Sequence, residues 1–235
     1  MTAQTSLRPQ PTFAERQRGP YDLLVALFCS LLLISNIAAV KLIQIGPDWA
    51  PFGIHVLPLI TDGGALLFPL TYVLGDVLAE VYGFKGARRA ILIGFLVSVI
   101  AAVTFLIIGV APAASDWGNQ EAFDAILGFV PRIVVASLLG YLAGQLLNAW
   151  VLVRMKAGRS GLWTRLLGSS AVGNAADTTI FCLVAFGGVI GGWTMVNYIL
   201  VGYVYKMTLE ALLLPVTMRV IRVVKRVEPA YGTPA

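Results

Sequence analysis

Charge is what this sequence has least of. Only 12% of its 235 residues are Asp, Glu, Lys or Arg, and 58% are apolar. A soluble domain carries about 25% charged residues, so a soluble globular protein is excluded. Histidine is nearly absent. The single His55 rules out His-rich metal sites and is expected in a polar loop or at an interface. The two cysteines, Cys29 and Cys182, fall inside apolar runs and read as packing residues rather than a disulfide. Catalytic signatures are missing too. There is no Walker A motif, so the chain cannot drive transport with ATP by itself, and no His-Glu-x-x-His zinc motif. Leu74-Gly75-Asp76 lacks the glycine two residues before the aspartate that intramembrane aspartyl proteases carry. Gly168-Ser169-Ser170 has no intramembrane histidine to activate a serine. Enzyme activity, a cofactor and a bound metal are therefore not expected.

What is present is a set of long apolar runs with a mean hydropathy of +0.82. They show no ten-residue alternation, which points to membrane-spanning helices rather than a barrel. Six spans are expected, at about residues 21–42, 65–84, 90–110, 131–153, 166–189 and 193–221, forming one domain over residues 20–226. Residues 1–19 and 227–235 read as disordered tails. Residues 43–64 contain Pro and Gly but no Lys or Arg, and could form an external hairpin or a re-entrant piece. Residues 111–130 are acidic and expected to be partly helical. Of 17 Lys and Arg, 14 lie in the N-terminal tail, the 85–89 turn, the 154–165 loop and the C-terminal end. The positive-inside rule then puts both termini in the cytoplasm. On this ground the net charge of +5 reports cytoplasmic loops, and nucleic acid is not an expected partner. The five Trp fall at span ends or in loops, as an interfacial belt requires.

Within so apolar a chain, the polar residues inside the spans stand out. Phe68 to Gly83 carries Asp76 and Glu80, four apart and so on one helical face, with Tyr72 a turn earlier. Each acid costs about 2.5–3.5 kcal/mol at mid-membrane on insertion scales. The full set is Asn36; Asp76 and Glu80; Arg132, Gln145 and Asn148; Asn174 and Asp177; and Lys206 and Glu210, with Lys41 at the rim. Some of these could merely tie helices together, and Lys206 could pair with Glu210 on its own helix. Interhelical hydrogen bonds average only about 0.6 kcal/mol, so a polar set this large exceeds what helix attachment needs. A central polar cavity accounts for it better. Tyr72 shares a face with Asp76, and Phe181 follows Asp177 by one turn, so either could stack a flat ligand.

Several segments, in order, resemble one family. They are Ser35-Asn36; Phe68-Pro69, Asp76 and Gly83 followed by Ala87-Arg88-Arg89; Arg132, Ser137, Tyr141 and Gly144-Gln145; Gly173-Asn174, Asp177-Thr178 and Phe181; and Tyr203, Lys206 and Pro215. This ordered set, running through about residues 30–218, resembles the queuosine precursor transporters of the vitamin-uptake-transporter group. The resemblance implies uptake of 7-cyano-7-deazaguanine and 7-aminomethyl-7-deazaguanine across the bacterial inner membrane, as a secondary transporter or facilitator. A guanine-like edge offers N1–H and an exocyclic amine to one carboxylate. Either Asp76 or Asp177 is expected to accept that edge, the other balancing Lys206 or Arg132. Asn36, Gln145 and Asn174 are expected to supply further hydrogen bonds, and Tyr72 or Phe181 a stacking face. Glu80 and Glu210 are expected at a gate or in ion pairs. Two other functions fit the composition: a transporter or substrate-binding subunit for another heterocycle or vitamin, and a membrane scaffold. Gly187–Gly192 leaves room for close helix contacts and a homodimer.

Overall fold

The computed structural model describes residues 19–49, 57–157, 162–229 and 231. His55, Arg159, nearly all of the N-terminal tail and most of the residues after Glu228 lie outside them. Among the described residues, five helices are long and apolar enough to cross a membrane: Tyr21–Ala38, Gly63–Val110, Gln120–Asn148, Gly168–Phe186 and Gly192–Val227. The chain is thus a polytopic, predominantly helical membrane protein. Helix α1 (Tyr21–Ala38) has 18 residues, about 27 Å at 1.5 Å per residue, close to the ~30 Å hydrocarbon core.

After α1 the chain forms a hairpin of β1 (Leu42–Trp49) and β2 (Leu57–Asp62). The strands are antiparallel, with Leu42 opposite Asp62 and Ile45 opposite Leu59. The protein is therefore not purely helical, as its sequence suggests, but carries a two-stranded cap. The Asp62 side chain ends β2 and accepts the Ala65 amide at 3.2 Å, starting a short 3-10 turn over Gly63–Leu67. Helix α2 (Phe68–Val110) follows, with Pro69 in its first turn, where a missing N–H costs nothing.

The 43 residues of α2 are not one straight rod. Gly83 has φ 68°, ψ −176° inside it, a conformation that glycine alone adopts without a Cβ clash. Contacts with α1 give the direction of each arm. Near the start of α1, the Tyr21 ring lies 4.7 Å from Tyr82, before the break, and its hydroxyl donates to the Gly86 carbonyl beyond it. Near the end of α1, Ser35 donates to the Gly64 carbonyl, ahead of the first arm, and Asn36 donates to Ser98 on the second. The first arm thus runs against α1 and the second alongside it, so the chain doubles back at Gly83. Leu92, Leu96, Val99, Val103 and Ile107 on the second arm stay exposed, an apolar face suited to lipid.

A short helix α3 (Gln120–Ile126) precedes α4 (Val130–Ala157), which packs antiparallel on α5 (Leu162–Phe186). Their contact is backbone to backbone. A Cβ on Gly144 would sit 2.9 Å from the Gly173 carbonyl and 2.9 Å from the Asp177 Cβ. Small residues permit such approaches between apolar helices, where lipid supplies no hydrophobic drive for association. Helix α6 (Gly192–Val227) closes the bundle and contains Pro215, which removes one helical hydrogen bond and locally softens the helix.

Candidate functional site

Four helical faces meet around a cavity of about 260 Å³, slightly below the ~300–1,000 Å³ usual for ligand pockets. The first arm of α2 contributes Tyr72 and Asp76, and α4 contributes Tyr141, Gly144, Gln145 and Asn148. From α5 come Ser170, Gly173, Asn174 and Asp177, and from α6 Glu210, Leu213 and Thr217. Each group repeats at three- or four-residue intervals, so one face of each helix is aimed inward.

At one end of the cavity, Lys206 on α6 reaches across to Asp177 on α5. Its Nζ lies 2.6 Å from Oδ2, with the lysine side chain 8% exposed and the aspartate 26%. The Phe68 ring covers the ammonium at 5.2 Å, a cation–π contact that keeps the charge favourably placed out of water. Glu210 does not pair with its helix neighbour Lys206. It accepts a hydrogen bond from Asn174 Nδ2 at 3.2 Å. Asp76, Gln145 and Glu210 are exposed, so the cavity is an open cleft that water reaches. The cost of placing Asp76 and Glu210 at this depth is thus met by hydration, and that of Asp177 by an ion pair.

Of the residues expected at a site, Tyr72, Asp76, Gln145, Asn174, Asp177 and Glu210 line this cavity. Lys206 holds Asp177 at its end. Asn36 lies elsewhere. It donates to Ser98 at 3.2 Å and accepts from Ser137 at 3.0 Å, joining α1, α2 and α4. Arg132 also lies apart: its Nε donates to the Val184 carbonyl at 2.8 Å and its Nη2 to the Gly187 carbonyl, capping the end of α5. Phe181 borders a second, smaller pocket and packs 6.5 Å from Phe186. Glu80 pairs with Lys225 of α6 at 2.6 Å, not with the basic turn that follows Gly83.

Sequence reasoning left Tyr141, Ser170 and Thr217 out of the site and gave Asn148, a member of the polar set, no contact of its own there. For α4 the signal was present: Ser137, Tyr141, Gln145 and Asn148 share one face. It also gave no role to Asp62, within the segment expected as an external hairpin or a re-entrant piece, whereas Asp62 is 4% exposed and accepts the Tyr198 hydroxyl at 2.7 Å. Nothing local in the sequence marks that pairing, which spans 136 positions.

Apolar helices enclosing an open cleft of carboxylates, amides and tyrosines form the architecture of a membrane transporter for a small polar solute. Residues 62–220 match the family model described as "Putative vitamin uptake transporter". The "Probable queuosine precursor transporter" of Bacillus subtilis (strain 168) is 33% identical over 168 residues, which covers 69% of this chain and 72% of that protein. The "Queuosine precursor transporter" of Escherichia coli (strain K12) is 28% identical over 174 residues, 74% of this chain and 72% of that one. No solved structure gives a significant match. The chain belongs to the queuosine precursor transporter family.

Proposed function

We propose that this protein imports 7-deazaguanine precursors of queuosine, the 7-cyano and 7-aminomethyl forms, across the cytoplasmic membrane of a bacterium. The observation that carries this is the cleft itself. It brings two acids without a salt-bridge partner among the described residues, Asp76 and Glu210, together with the amides of Gln145, Asn148 and Asn174 and two tyrosines. Asp76 is best placed to accept the N1–H and exocyclic amine of the guanine-like edge, because Asp177 is already engaged by Lys206. Amide groups answer the O6 acceptor and ring nitrogens, and Tyr72 or Tyr141 offers a stacking face. Asn36 and Arg132 have no part in this arrangement, since their polar atoms are engaged at helix junctions.

Six crossings accompany this proposal, with the chain turning back at Gly83 and both termini in the cytoplasm. The support is the exposed Lys85, Arg88 and Arg89 beside Gly83, at the same end as Arg219 and Arg222. The cleft extends from the Asp177–Lys206 pair toward that basic end, so it faces the cytoplasm.

Thermal unfolding of the purified protein with a panel of purines tests the site. A ligand at a hundred times its Kd adds about 2.7 kcal/mol of stability. Both 7-deazaguanines should raise Tm and adenine should not, and folded Asp76→Asn should lose both the shift and radiolabelled uptake. No shift for the wild-type protein, or full uptake by Asp76→Asn, overturns the proposal.

A further inference from the structure

The second pocket has a volume of only about 20 Å³, and a single water needs about 10–15 Å³. It lies on the other side of the Asp177–Lys206 pair, beneath the β-hairpin. Its wall includes Asp62, Phe68, Thr178, Phe181, Tyr205 and Lys206. Acid, base, hydroxyls and aromatic rings are an unusual lining for so small a space. Thr178 is 2% exposed, and its hydroxyl has no hydrogen-bond partner among the described residues. A buried unpaired hydroxyl is costly, and each one in a native structure calls for an explanation.

Lys206 borders this pocket, Asp177 borders the large cleft, and the two are bonded to each other. Phe68 lies over the lysine. The roof is held by three contacts to α6. Tyr198 donates to Asp62 at 2.7 Å, Tyr205 donates to the Ala65 carbonyl at 3.0 Å, and the Ile60 amide donates to Asn197 at 3.0 Å. All three join the 60–65 segment to one helix.

We propose that the small pocket is the collapsed outer half of the substrate path, a second subsite for the same flat, donor-rich heterocycle. In it, Thr178 makes a hydrogen bond to the solute that it lacks at rest. The Lys206–Asp177 pair under Phe68 is the partition between the two halves. Separation of the 60–68 segment from α6 opens the pocket to the outside, and the solute then displaces Lys206 from Asp177 on its way to the cleft. This rests on the transport function proposed above, and its test contains a readout that needs no deazaguanine.

Cys182 lines the small pocket, is 1% exposed, and becomes the only cysteine once Cys29 is replaced by serine. A membrane-impermeant maleimide added to the outside of intact cells then reports opening. Cys182 should react slowly in the Cys29→Ser background and several-fold faster when Tyr198→Phe or Tyr205→Phe removes one of the contacts that hold the roof to α6. The second experiment is Thr178→Val. Removing an unpaired hydroxyl should hold or raise Tm and preserve the thermal shift with 7-aminomethyl-7-deazaguanine, while uptake falls about fivefold to tenfold for one lost hydrogen bond. Wild-type uptake by Thr178→Val, or Cys182 labelling that both roof variants leave unchanged while folded, overturns the outer subsite. A missing ligand shift in the wild-type protein would instead count against the substrate, and the labelling result would still stand.

Discussion

Breaking the Lys206–Asp177 pair from its two sides should give unequal losses. The Nζ–Oδ2 distance is 2.6 Å, and the side chains are 8% and 26% exposed. Asp177→Asn strands a lysine that is almost fully enclosed. Removing one partner of a buried pair costs about 3–5 kcal/mol, and at roughly 2–4 °C per kcal/mol for a chain of this size Tm falls by roughly 6–20 °C. Lys206→Met strands a carboxylate that still faces the hydrated cleft. Its cost belongs nearer the ~1–3 kcal/mol of an unsatisfied polar group. The double variant Asp177→Asn/Lys206→Met removes both charges and should recover about 2 kcal/mol or more of the Asp177→Asn loss. Thermal unfolding in one detergent reads all four proteins as a double-mutant cycle. Equal losses in the two single variants, or no recovery in the double, would refute both the pairing and the cleft's access to water.

Two further predictions address helix packing. Gly144→Ala places a methyl 2.9 Å from both the Gly173 carbonyl and the Asp177 Cβ; overpacking should cost about 1–3 kcal/mol, and the displacement of Asp177 should also weaken the 7-deazaguanine thermal shift. Asn36→Ala should lower stability by about 1–3 kcal/mol, since it leaves Ser137 without its acceptor, yet the ligand shift of the folded protein should equal that of the wild type; a weaker shift would bring Asn36 back to the site.

Much of this arrangement was legible in the sequence because membrane solvation makes polar residues conspicuous. Asp76, Asn174, Asp177 and Glu210 drew attention as costly groups in apolar runs, and the structure gathers them around one cleft. Partner choice was less legible. Lys206 had Glu210 four residues away, but α5 and α6 approach closely one turn earlier, where a Cβ on Gly202 would sit 3.1 Å from the Thr178 methyl, and Asp177 lies within its reach. Glu80 had Lys85, Arg88 and Arg89 close by in sequence, but the reversal at Gly83 leaves it facing α6 and Lys225. A hairpin was one of two readings open for residues 43–64, and the structure shows paired strands there. The role of Asp62 was not legible, because it comes from Tyr198, 136 positions away.

The polar set also separates attachment from transport within one molecule. Asn36, Ser98 and Ser137 form a hydrogen-bonded chain: Ser137 donates to Asn36, Asn36 donates to Ser98, and Ser98 donates to the Gly94 carbonyl. Asn36 is 4% exposed and Ser98 is fully buried. Arg132 likewise spends its donors on the last carbonyls of α5. These groups are satisfied at helix junctions and line neither the cleft nor the small pocket, which is how polar residues fasten apolar helices. Asp76, Gln145 and Glu210 are arranged in the opposite way. They are exposed to a cleft shared by four helices, and neither acid has a salt-bridge partner among the described residues. A scaffold already fastened at Asn36 and Arg132 gains nothing from carboxylates held open to water at membrane depth. A transporter does, because it must offer hydrogen bonds to a solute that leaves its own hydration behind.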